Sequence, residues 1–157
     1  MNVNTGSATA GPPRALMART RMWRASLGVV ILLAIEAGLG MFVQSSVDVP
    51  KADHHAGLGD VISNGPVLLS IHAVVGLLLA LGGLGLLVQS IMARHWGIAV
   101  LSVVGLLALA FASVAGNGYS TTGDGSASTA MAVMAGIALV CYVAILYILR
   151  PEEEPSR

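Results

Sequence analysis

The chain has 157 residues, of which 55% are hydrophobic and only 10% charged, with nineteen glycines. A soluble domain carries about 25% charged residues, so a globule that faces water on all sides is excluded. Eight basic and eight acidic side chains cancel, leaving no excess of positive charge to point to a nucleic-acid partner.

Several apolar runs reach the length of about 18 residues or more that spans a hydrocarbon core. Together they predict an all-α integral membrane protein with the lipid bilayer as its first partner. Residues 1–25, which include GSATAGPPR, read as a mobile cytoplasmic tail. A basic stretch ahead of an apolar run is also the general form of a cleaved signal peptide. The run here extends too far for that and is interrupted by Glu36. The spans are expected at about 26–44, 67–91, 97–116 and 128–149, with residues 150–157 as a second cytoplasmic tail. Basic residues are retained on the cytoplasmic side. Arg14, Arg19, Arg21, Arg24, Arg94, Arg150 and Arg157 fall on one side of these spans, and only Lys51 on the other. The expectation is a multi-pass plasma-membrane protein with both termini in the cytoplasm.

The first span, ILLAIEAGLGM at 31–41, carries Glu36 about eight residues from its outer end, roughly 12 Å deep at 1.5 Å per residue. A carboxylate at that depth must face the bundle interior, meet a partner or keep its proton, which makes Glu36 a candidate proton-handling residue. The outer loop at 45–66, SSVDVPKADHHAGLGDVISNGP, holds His54 and His55 with Asp53 and Asp60, a candidate metal patch. Convergence of such ligands cannot be read from spacing. The second span places His72 about five residues from its outer end, roughly 7 to 8 Å deep. That is close enough to Glu36 for a hydrogen bond if the two helices touch.

The inner connection MARHW is too short for anything but antiparallel neighbours, so an up-and-down four-helix bundle follows. His95 there, beside Arg94 and Trp96, reads as an interfacial anchor. It lies at the wrong end to share a haem with His72. Small residues allow close approach in lipid, and the stripes Gly76/Ala80/Gly83, Ala108/Ala112/Gly116 and Ala132/Gly136 are expected to mark packing faces. Met41 and Met131 share the outer layer with His72. Imidazole with thioether sulfur can hold haem b iron or copper, so His72 and Met131 form a candidate cofactor site. Cys141 has no second cysteine to pair with and reads as a small core residue.

Nucleotide loops, HExxH helices, GxSxG elbows and CxxC pairs are missing from the sequence. The small multidrug transporters also have four spans and a glutamate in the first, but the long outer loop and the 4% aromatic content depart from that family. GM at 40–41, DHHAG at 53–57, IHAVVG at 71–76, AGNGY at 115–119 and STAMA at 128–132 resemble elements of uncharacterised small four-span bacterial membrane proteins. The resemblance implies a layout and no activity. Three roles stay open: a non-enzymatic accessory or structural subunit, in a larger assembly or a homo-oligomer; a haem- or metal-binding redox protein using His72; and a proton-coupled transporter using Glu36.

Overall fold

The computed structural model describes residues 14–46, 63, 66–122 and 125–150. They form four long helices: α1 (Arg14–Ser46), α2 (Val67–Met92), α3 (Trp96–Thr122) and α4 (Gly125–Ile148). Each contains a segment long and apolar enough to cross a membrane: Met17–Val43, Val67–Met92, Trp96–Gly118 and Gly125–Ile148. The loop with His54, His55, Asp53 and Asp60 lies outside the described residues.

The expected all-α bundle is present, with one clear difference at its start. Helix α1 begins at Arg14, so residues 14–25, expected as a tail, are helical. The stretch RALMARTRMWRA is made almost wholly of good helix formers, and the prolines at 12 and 13 stand just ahead of it, where they do not interrupt the hydrogen bonding. Helix α3 also runs past residue 116, carrying the glycines at 116 and 118 inside it.

The helices form a closed ring. Each packs on its neighbour in sequence, α4 closes against α1, and among the described residues the backbones of the diagonal pairs stay apart, with the Tyr142 side chain of α4 alone reaching across to Gly83 of α2. Side chains show the alternation of direction: Gly40 lies against His72, Gly76 against Glu36, and Gly82 against Val29, so α1 and α2 run antiparallel. Both termini of the bundle and the α2–α3 turn therefore share one end, here the terminal end. The C-terminal ends of α1 and α3 and the N-terminal ends of α2 and α4 mark the far end.

Inward positions follow a spacing of four and three. On α1 they are Met22, Ser26, Val29, Leu33, Glu36, Gly40 and Val43, and on α2 His72, Gly76, Leu79, Gly83, Leu86 and Ser90. On α4 they are Ala138, Tyr142 and Ile145, with Leu149 continuing the spacing just past its end. A repeat averaging 3.5 residues keeps a seam in register when helices wind gently around one another in a left-handed sense. The outward faces are apolar as well, with Ile31, Leu81, Val100, Phe111 and Val140 among the residues exposed to the surroundings that lipid would fill. Leucine, valine and phenylalanine exposed on every helix are reasonable only where the solvent is hydrocarbon.

Three of the expected stripes need comment. Gly76 and Gly83 on α2, and Ala108 and Ala112 on α3, do face neighbouring helices. On α4 the expectation fails: Ala132 and Gly136 are exposed, and Gly136 has nothing within contact distance. The packing face of α4 is the Ala138–Tyr142–Ile145 seam, because Tyr142 needs the glycines opposite it and so sets the rotation of the helix.

Two polar devices hold the terminal end. The guanidinium of Arg19 donates to the carbonyls of Ile148 (3.4 Å) and Arg150 (3.1 Å), so α1 caps the final turn of α4. A cation there also opposes the negative end of the helix dipole. At the α2–α3 turn the amide of Arg94 donates to Ile91 and that of His95 to Ser90, a pattern that closes α2 with Arg94 in the left-handed region at φ 57°. Trp96 is exposed beside this turn.

Candidate proton-binding pair in the α1–α2 seam

Glu36 and His72 both occupy seam positions, one on each of two antiparallel neighbours, so the heptad register points them at each other. The ring Nδ1 of His72 lies 3.2 Å from Oε1 of Glu36, with the side chains 25% and 16% exposed respectively. The distance is that of an ion pair, but Nδ1 makes no hydrogen bond, and the second carboxylate oxygen, Oε2, is buried with no hydrogen-bond partner among the described residues. The pair is thus formed and incompletely satisfied.

Glycines make room for it. A Cβ at Gly76 would stand 2.9 Å from Oε1 of Glu36, and one at Gly40 would stand 3.4 Å from Cε1 of His72. Each polar side chain thus enters a notch on the opposite helix. A leucine in either notch would force the helices apart and leave the polar atoms to lipid.

Chemically, a carboxylate and a neutral imidazole together carry one negative charge. With one proton between them the pair is neutral in sum, and with two it is positive. A carboxylate beside an imidazole has the chemistry to accept or pass on a proton.

The other candidate residues are distributed differently. Met131 is on α4, diagonal to the helix that carries His72, and its sulfur packs where a Cβ at Gly116 of α3 would be only 3.2 Å away. Met41 is exposed. His95 is exposed at the opposite end of the bundle from His72. Among the described residues no three His, Cys, Asp or Glu side chains converge as a metal site. Cys141 is buried in the bundle and free. A surface recess of about 260 Å³, lined by Leu87, Ile91, Trp96, Ala99 and neighbouring valines, lies near the terminal end and is apolar.

Sequence reasoning missed a second set of buried polar groups. Ser26, Ser90, Ser102 and Tyr142 are fully buried, one on each helix. Ser26 donates to the backbone carbonyl of Tyr142 at 3.1 Å and Ser90 to that of Leu87 at 2.7 Å. The hydroxyls of Ser102 and Tyr142 have no partner among the described residues. The signal was present in the spacing: Tyr142 falls on the α4 seam opposite the seam glycines Gly83 and Gly105.

No protein-family model matches this chain, and neither does any curated protein or solved structure.

Proposed function

We propose that the protein is a non-enzymatic, proton-responsive membrane protein in which the Glu36–His72 pair takes up and releases a proton from the far-end side. The 3.2 Å approach of Nδ1 to Oε1 inside an apolar helix seam carries this reading. Ionisable groups within a span are costly and mark functional sites by default. A pair whose second oxygen is unsatisfied is poised to change protonation rather than merely to lock two helices. The pair also forms the contact between α1 and α2 near the far end, so its charge state governs how tightly that seam closes. Net charge on the pair favours water over the glycine notches and loosens the seam; neutrality restores it.

The arginine distribution supports a plasma-membrane orientation with both termini cytoplasmic, which turns the pair toward the external medium. In that setting the protein serves as an accessory subunit, or as one copy of a homo-oligomer, that reports external acidity to what it contacts. Infrared difference spectroscopy on the protein in bilayers, stepped from mildly alkaline to mildly acid buffer, tests the proposal. A carboxyl band that appears with acid and vanishes in Glu36→Gln is the expected result. A spectrum in which Glu36→Gln removes nothing would dispose of proton exchange at this site.

A further inference from the structure

We infer that Tyr142 and Ser102 form a second polar station, occupied by water, and that a single apolar layer seals it from the Glu36–His72 pair. The inference rests on the proton-exchange reading of that pair and extends it across the bundle.

Two observations lead here. First, α2 receives a polar atom at two of its seam glycines: Oε1 of Glu36 at Gly76, and the hydroxyl of Tyr142 at Gly83, which lies closer to a Cβ there than any real side chain would allow. These glycines are one heptad apart, about 10 Å along the helix. Second, the hydroxyls of Tyr142 and Ser102 are each fully enclosed and unpartnered, on adjacent helices with the ring of Tyr142 against Gly105, one turn from Ser102. A buried hydroxyl without a partner is costly. A bound water with two or more polar neighbours is the usual remedy.

Between the stations the seam is wholly apolar. Leu33 and Leu79 follow Glu36 and Gly76 toward the terminal end, while Ala108 and Ala138 lie one step toward the far end from Gly105 and Tyr142. Their exposures are 3%, 1%, 5% and 0%, and all four belong to one packed cluster. The layer has two leucines from α1 and α2 and two alanines from α3 and α4, so the leucines supply its bulk. Removing one leucine side chain would open a gap that water can enter from polar groups on either side. On the terminal side a further apolar layer of Leu86, Ile98 and Ile145, at 0%, 3% and 0% exposure, closes the station from that end.

Two measurements test this. In the unaltered protein, labelled with carbon-13 tyrosine in bilayers, water-edited solid-state NMR should show magnetisation passing from water to Tyr142, whose signal is assigned by its loss in Tyr142→Phe. A dry Tyr142 would overturn the water station. In the same spectra Leu79→Ala, which opens the layer toward the pair, should speed the build-up of the Tyr142 signal from water several-fold. Leu33→Ala, in the same layer, should behave alike and serves if Leu79→Ala does not fold. An unchanged build-up in the folded variants would overturn the seal. The Glu36 infrared band remains a separate readout: its presence with an unchanged build-up removes the seal alone, and its absence removes the pair.

Discussion

The strongest quantitative consequence of the packing concerns Tyr142, whose ring fills a slot between Gly83 and Gly105. At Gly83 the nearest neighbour of an added Cβ is the Tyr142 hydroxyl; the ring carbon behind it, Cζ, stands at 3.3 Å, and Cδ2 of Leu106 at 3.0 Å. At Gly105 the nearest neighbours are the ring itself, Cε2 at 2.9 Å and Cζ at 3.0 Å. Tyr142 is fully buried and has nowhere to move. Overpacking of an enclosed site costs about 1–3 kcal/mol, and exchanging Gly for Ala in a helix returns about 1 kcal/mol. Taking the upper half of the first range, each of Gly83→Ala and Gly105→Ala should lose about 1–2 kcal/mol. Tyr142→Phe removes the atom that opposes Gly83→Ala but leaves the ring edge that opposes Gly105→Ala. The 83/142 cycle should therefore show a coupling of about 1–2 kcal/mol, and the 105/142 cycle no more than about 0.5 kcal/mol. Unfolding by sodium dodecyl sulfate in mixed micelles, followed by helix content, measures both. Equal couplings, or rescue of Gly105→Ala alone, would refute the assigned placement of the ring.

Other substitutions separate the roles of the remaining glycines and polar caps. Gly76→Ala meets the movable end of Glu36 rather than a fixed ring. It should leave stability within about 1 kcal/mol while abolishing or shifting the Glu36 infrared band, and an unchanged band would contradict the notch. Gly85→Ala and Gly136→Ala face open space, so each should raise stability by about 0.5–1 kcal/mol in the same micelle assay. Arg94→Gly relieves a left-handed backbone at φ 57° and should stabilise by about 1 kcal/mol; the same change removes the arginine of the α2–α3 turn, so the fraction of molecules inserted in reverse, read by protease protection, should rise. Arg19→Gln withdraws the charge that caps α4 and, as the group is partly exposed, should cost no more than about 1 kcal/mol.

Much of the site was legible before any coordinates because depth in a bilayer is a one-dimensional quantity. Counting residues from the ends of two antiparallel spans placed Glu36 and His72 at compatible heights, and the structure pairs them. Rotation about each helix axis was harder to read. With small residues on nearly every face of α4, composition could not say which stripe turns inward. The bulk of Tyr142 decides it, and Ala132 and Gly136 are left facing out. The same rotational ambiguity led to Met131 being grouped with His72, although its sulfur packs toward Gly116. The start of α1 differs from expectation for another reason: arginines and alanines ahead of a span look like a tail by hydropathy, yet they are strong helix formers, and Met22 within that stretch is buried.

Why polar side chains, and not leucines, occupy these glycine notches follows from the reference state. In water a leucine entering such a notch would gain from leaving solvent. In lipid it exchanges one apolar contact for another, so little favours the bundle over separated helices. Glu36 and Tyr142 differ, because outside the notch each would expose an unsatisfied polar atom to hydrocarbon. The same atoms therefore supply specificity for the helix register and retain an unmet hydrogen-bonding capacity that a proton or a water can fill. If proton exchange at Glu36 depends on this seam, then Gly40→Leu, which drives His72 from its notch at 3.4 Å, should remove the acid-dependent band without touching either titratable residue. Persistence of that band in a folded Gly40→Leu protein would show that Glu36 exchanges protons without His72, and the pair would lose its role.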